Sequence, residues 1–197
     1  MTDSLKEYRT GGRQVFDGRL LKVWQDQVRL PNGAQAVREY VRHPGAAMIV
    51  PLLDVGAAAD DDGCRLIVER QYRYPLDAVV LEFPAGKLDP GESTLFCAQR
   101  ELREETGFSA ARWARAGVLH PLVAYSTECI DIWFAQGLSA GGQQLDEAEF
   151  LEVTQITARQ LFEACRNGQI TDAKTLVGAF WLQALLRGQW QPDWQVV

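Results

Sequence analysis

Three carboxylates crowd one short stretch of this chain. Glu101, Glu104 and Glu105 lie in the string Arg100-Glu-Leu-Arg-Glu-Glu-Thr-Gly107-Phe108. Residues at i, i+3 and i+4 are neighbours on a helix, so the three should converge on one side. Like charges held that close repel by roughly a few tenths of a kcal/mol per pair. A hard divalent cation turns this repulsion into coordination, because Mg²⁺ takes carboxylate oxygens, waters and phosphate oxygens. A run of acids is usually no more than a solvated helix face. Here another side of the same segment carries Leu95, Ala98 and Leu102, at i, i+3 and i+7. That stripe can pack on a core. One helix would thus offer acids for a metal and an apolar face for anchoring.

The residues before this helix have the chemistry of a tight loop. Gly86 permits backbone conformations closed to other residues, and Asp89-Pro90-Gly91 is turn chemistry. Ser93 or Thr94 can cap the helix, and Gly107 can end it. Arg100 precedes the acids and can pair with Glu92 or Glu104, which would brace the loop rather than act in catalysis. The region reads as strand, loop, helix, loop.

The elements that must position this helix can be read outward from it. Runs 20–30 and 35–42 flank Pro31-Asn32-Gly33, and Asn-Gly between strand-like runs is a strong hairpin signal. This N-terminal hairpin could stand apart from the catalytic region. Runs 46–53 and 65–71 make a second pair around a loop at 57–63, whose Asp60-Asp61-Asp62 reads as exposed rather than metal-binding. Val79–Phe83 leads into the acidic region. Further strands are expected at 116–121, 130–136 and 150–156. Helices are expected at Ala158–Arg166 and 172–186, the second with Val177, Phe180, Trp181, Ala184 and Leu185 in helical spacing. Thr171 or Asp172 would cap it. The tail 189–197 is either frayed or held by Trp190 and Trp194. Trp24, Trp113, Trp133 and Trp181 read as core or dimer contacts more than as nucleobase stackers. The order of elements predicts a mixed β-sheet with helices on both faces, an α+β (α/β/α sandwich) fold.

Composition narrows the class. The 197 residues favour one domain with an added subdomain, and the formal net charge is −6. That balance argues against nucleic-acid or anionic-membrane partners, which need a basic patch. No apolar run is long enough to span a bilayer, and the N-terminus lacks a signal-peptide pattern, so a cytoplasmic protein is expected. Cys64, Cys97, Cys129 and Cys165 are scattered and read as reduced thiols. His43 and His120 are too few and too separated for a histidine metal site.

The whole string from Gly86 to Phe108 resembles the Nudix box, GX5EX7REUXEEXGU with U apolar, and fills its every fixed position. The chain around it is similar to the ADP-ribose pyrophosphatase group of Nudix hydrolases. The similar segments are His43-Pro44-Gly45-Ala46, Gln71-Tyr72-Arg73-Tyr74-Pro75, Glu82-Phe83-Pro84-Ala85-Gly86, Pro121, Tyr125-Ser126-Thr127-Glu128 and Leu145-Asp146-Glu147-Ala148-Glu149. The resemblance implies a Nudix fold divided into an N-terminal dimerisation region (1–44), a hydrolase domain (45–187) and a tail (188–197). It also implies a homodimer and two or more Mg²⁺ or Mn²⁺ ions. Glu101 and Glu105 would be the principal ligands, with Glu104 supporting and the Ala85 carbonyl adding another. Gly86, Glu92, Arg100 and Gly107 would support the box. The catalytic base would be Glu147, or else Glu149. Arg73 and Glu128 would contact substrate, and Arg38 would reach the nucleotide in the partner subunit. The implied reaction is ADP-ribose plus water giving AMP and ribose 5-phosphate. GDP-mannose or another nucleotide sugar is the alternative substrate. A Nudix-fold module that senses a nucleotide without cleaving it is the non-enzymatic alternative, and RNA decapping is disfavoured by the acidic balance.

Overall fold

The computed structural model describes residues 4–55, 61–145, 147 and 149–197. Asp60, Asp146 and Ala148 lie outside the described residues. Contacts divide the chain into one unit of residues 1–45 and 120–129, and a second of 46–119 and 130–197.

The smaller unit is a three-stranded antiparallel sheet in the order β1 (Tyr8–Asp17), β2 (Lys22–Arg29), β3 (Gln35–Arg42). The β2–β3 hairpin turns at Asn32-Gly33 as the sequence predicts. Asn32 Oδ1 accepts from the Ala34 N–H at 3.0 Å, and Gly33 takes a positive φ of 86°. β1 was not expected. Its Thr-Gly-Gly-Arg-Gln run weakens the β signal, and register shifts on either side of Gly11-Gly12-Arg13 interrupt its pairing. The segment 120–129 joins this unit through main-chain bonds from Val41 N to the Tyr125 carbonyl and from Thr127 N to the Val41 carbonyl.

The larger unit is built on an eight-stranded mixed sheet. Its central order is β10 (Leu151–Thr157), β5 (Cys64–Arg73), β4 (Ala46–Val55), β9 (Ile130–Ala140), β8 (Phe108–Leu119), β11 (Gln195–Val196). β6 (Ala78–Glu82) pairs with β5, and β7 (Ala85–Lys87) pairs with β4. Only β4 and β9 run parallel among these pairs. β8 is longer than the expected 116–121 because its Ala-rich start has weak β-propensity and is recruited by the register with β9. Gly86, expected in a loop, lies in β7.

Helices cover both faces. α1 (Thr94–Thr106) sets Cys97, Ala98 and Leu102 against Ala47, Ile49, Trp113, Trp133 and Ala135. On the opposite face α2 (Ala158–Arg166) and α3 (Ala173–Leu186) pack on Met48, Val50, Leu66, Val68, Ile132 and Phe134. Period-two alternation explains this division, since neighbours along a strand point to opposite faces. Asp172 caps α3, its Oδ2 accepting from Thr175 N at 2.9 Å. The tail is held. Trp190 meets Phe134 at 5.0 Å and Trp181 at 5.2 Å between ring centroids, and β11 zips onto β8. None of the four cysteines, all among the described residues, is in a disulfide. No helix among the described residues is long and apolar enough to cross a membrane.

Candidate active site

α1 is placed by its ends and by its apolar stripe. Ser93 is the N-cap, its hydroxyl accepting from Phe96 N at 3.2 Å. Gly107 closes the helix in the left-handed region at φ 74°, donating to the Arg103 carbonyl at 2.9 Å. That conformation favours glycine. Between these ends the three box glutamates meet different surroundings.

Glu105 is 4% exposed. It lies under the helix rather than on its outer face, and its Oε2 accepts from Ala85 N at 3.0 Å. Burial first, then the charges of Glu69, Glu101 and Glu149, pushes its carboxyl far above the usual carboxylate range. Glu101 lies against β7, where a Cβ on Gly86 would overlap its carboxylate. Its pKa is also raised, mainly by burial, although Arg100 opposes the shift. Glu104 is the most open of the three.

Arg100 organises the acids and the loop together. It bonds Glu92 through Nε at 2.9 Å and Nη2 at 3.0 Å. Its Nη1 donates to Glu101 at 2.7 Å and to Glu104 at 3.1 Å. Glu92 Oε2 also accepts from Asp89 N at 2.9 Å, which closes the turn. The sequence left Glu92 and Glu104 as alternative partners for Arg100, and the guanidinium fork takes both.

The other candidates are dispersed. Arg73 is committed to Glu82, with Nε–Oε1 at 2.7 Å and Nη2–Oε2 at 2.8 Å. Lys174 also bonds Glu82, and it reaches Asp172 at 3.1 Å. Glu147 is exposed at a turn, whereas Glu149 is half-buried. The charge of Glu149 is felt at Glu69, Glu101 and Glu105. Arg38 and Glu128 belong to the smaller unit. There Arg38 is paired with Glu7 at 2.6 Å, and Glu128 stands 3.9 Å from His43. Two buried acids were given no role by the sequence: Glu69, and Glu82, which figured there only within a similar segment. The available signal was a glutamate directly after an apolar run in each strand, Leu66-Ile67-Val68 in β5 and Val79-Val80-Leu81 in β6.

Among the described residues no three Asp, Glu, His or Cys side chains are grouped so that they alone could hold a metal ion. The donor set suits an open site for a hard cation. Glu101 and Glu105 are carboxylates in a half-dry setting, and buried Glu69 has two oxygens without a hydrogen-bond partner. Mg²⁺ is commonly held by one or two carboxylates together with waters and substrate phosphates.

With its helix-flanked mixed sheet and this carboxylate arrangement, the chain belongs to the Nudix family of hydrolases, the NUDIX domain model matching residues 45–176. Two relatives extend the match. An ADP-ribose pyrophosphatase of Bacillus subtilis (strain 168) is 33% identical over 182 residues, covering 91% of this chain and 94% of that protein. A methanol dehydrogenase activator of Bacillus methanolicus is 34% identical over 174 residues, covering 86% and 89%. The crystal structure of an ADP compounds hydrolase superposes with a TM-score of 0.81 at 28% identity, covering 95% of this chain and 98% of the other.

Proposed function

We propose that this Nudix hydrolase cleaves the diphosphate of ADP-ribose, with water, to AMP and ribose 5-phosphate. The observation that carries the chemistry is the pair Glu101 and Glu105, crowded against β7 without enough cations of the chain to neutralise them. The substrate rests on likeness to an ADP-ribose pyrophosphatase and to an ADP compounds hydrolase over nearly the whole chain.

Glu101, Glu105 and the Ala85 carbonyl would hold Mg²⁺ or Mn²⁺, two or more ions, with Glu104 and Glu149 nearby. The ions would offset diphosphate charge and make water a better nucleophile. The chain does the rest. Arg100 holds Glu101 and Glu104 in place while tying the loop through Glu92. A carboxylate from 145–149 accepts the proton of the attacking water. Glu147 is the first candidate, from its place in the segment 145–149 that is similar to the acidic loop of the ADP-ribose pyrophosphatase group. Glu149 is the second, because its charge already acts on that cluster and suits it better to the cations.

The smaller unit carries exposed apolar side chains at Val15, Phe16, Leu20, Leu21 and Val37. They support its use as the surface of a homodimer, which sedimentation of the purified protein would test. A cytoplasmic location agrees with the same reading.

The deciding experiment is product analysis on a panel of ADP-ribose, GDP-mannose and other nucleotide sugars with Mg²⁺. AMP and ribose 5-phosphate from ADP-ribose, at the highest kcat/KM of the panel, is the expected result. No AMP release would remove the substrate, and binding without turnover at any metal concentration would favour a sensing module. Glu105→Gln should lower turnover by more than the roughly 10–100-fold typical of residues that only orient metal ligands.

A further inference from the structure

Glu69 sits in the middle of β5, opposite Glu82 of β6 on one side and Val153 of β10 on the other. It is 1% exposed, and neither carboxylate oxygen has a hydrogen-bond partner. Asp26 makes the contrast plain. One of its oxygens is bare, but the other takes the Tyr40 hydroxyl at 2.9 Å and faces Arg9 Nε at 2.9 Å. Glu69 has no such contact, and only the charges of Lys174 and Arg73, acting without a hydrogen bond, ease it. The two cations that act on it are bonded elsewhere, Arg73 to both oxygens of Glu82 and Lys174 to Glu82 and Asp172. A buried, unpaired carboxylate is costly, and such groups are normally paired or coordinate a metal.

The sheet tells where this carboxylate points. Cys64, Leu66 and Val68 of β5 face α2 and α3, in the same core as Met48 and Val50. Alternation therefore turns Glu69 to the other face, where Ala47 and Ile49 of β4 pack on α1. Glu101 and Glu105 approach from α1 on that same face.

We propose that Glu69 is a further carboxylate of the divalent-cation site, directed at the ions from the sheet while α1 supplies Glu101 and Glu105. This inference rests on the cation site put forward above. The electrostatics agree. Burial, then the charge of Glu82, pushes Glu69 upward, and Glu69 is the largest charged influence on Glu105. Glu69 is a positioning residue. It sets how tightly the ions are held, and no contact with substrate is assigned to it.

The test uses the full-length, metal-free protein titrated with Mn²⁺ by calorimetry. Glu69→Gln and Glu69→Leu should weaken Mn²⁺ binding about 10–100-fold, the range for partners that tune a metal site. Both should melt no lower than the parent without metal, since each removes a buried carboxyl whose oxygens have no hydrogen-bond partner. Glu69→Asp keeps the charge and should bind more tightly than Glu69→Gln. In turnover, Glu69→Gln should need more Mn²⁺ for half-maximal rate and recover most of kcat at saturation. Unchanged Mn²⁺ affinity in Glu69→Gln and Glu69→Leu, with binding lost in Glu105→Gln, overturns this inference alone. Unchanged affinity in all three overturns the cation site as well. Equal weakening in Glu69→Asp and Glu69→Gln would show that shape rather than charge matters, and would also overturn the inference.

Discussion

Gly86 and Glu101 occupy each other's space: a Cβ on the glycine would fall on the glutamate's carboxylate. Gly86 has no positive φ. Its requirement is therefore room rather than backbone freedom, and the room is for the carboxylate proposed above as a cation ligand. Gly86→Ala should accordingly leave β7 intact and displace Glu101. We expect kcat/KM to fall by at least about 10-fold, with weaker Mn²⁺ binding, since misplacing a ligand acts like losing its support. Steady-state kinetics beside a calorimetric titration would check both. Full activity in the alanine variant would mean that Glu101 can work from another position.

The base is separable from the ligands by comparing Glu147→Gln with Glu149→Gln. A positioned proton acceptor contributes roughly 10²–10⁴-fold, so the variant lacking it should lose that much kcat while binding Mn²⁺ normally. We expect this of Glu147→Gln. Glu149→Gln should lose metal affinity as well, because Glu149 acts electrostatically on Glu101 and Glu105. A normal kcat for Glu147→Gln would transfer the role.

The loop before α1 should respond to acid. Arg100 holds Glu92 below the usual carboxylate range through hydrogen bonds first, aided by the Asp89 N–H and opposed by burial. A lowered value in the folded state means that Glu92 adds stability above its unfolded pKa, and that this is lost as pH falls through the lowered value. Glu92→Gln should thus melt a few degrees lower near neutral pH, at about 2–4 °C per kcal/mol for a chain of this size. The gap should narrow steadily toward pH 3. Melting curves of both proteins without metal would show it, and a constant gap would contradict the ion pair.

Stability on the other face depends on Gly178. A Cβ there would lie 2.9 Å from both Met48 and Phe83. Gly178→Ala would gain about 1 kcal/mol in helix propensity. Overpacking a tight core costs roughly 1–3 kcal/mol, so a net loss is expected. Gly178→Val, bulkier and β-branched, should lose more. Urea titration would rank the three, and a stabilised alanine variant would mean that Met48 moves aside freely.

Much of this molecule was legible along the chain because the signals are local. Asn32-Gly33 makes a hairpin whatever surrounds it. Ser93 and Gly107 bound a helix by their own backbone chemistry, and the spacing of Glu101, Glu104 and Glu105 is a property of that helix alone. The strand Tyr8–Asp17 was hidden because its pairing with β2 is non-local and its glycines blur the alternation. The first half of β8 was hidden because its alanines join a sheet only when β9 is there to pair with them.

The site divides along the same line. Helical spacing and an intact box determined from sequence alone that three glutamates would share one short helix, α1, anchored by Leu102. Burial and charge compensation arise only when distant segments meet, so tertiary structure decided the rest. It put Glu105 beneath α1 against Ala85. It let one arginine hold Glu92, Glu101 and Glu104 at once. It gave Arg73 and Lys174 to Glu82, and left Glu69 buried in β5 with no hydrogen-bond partner.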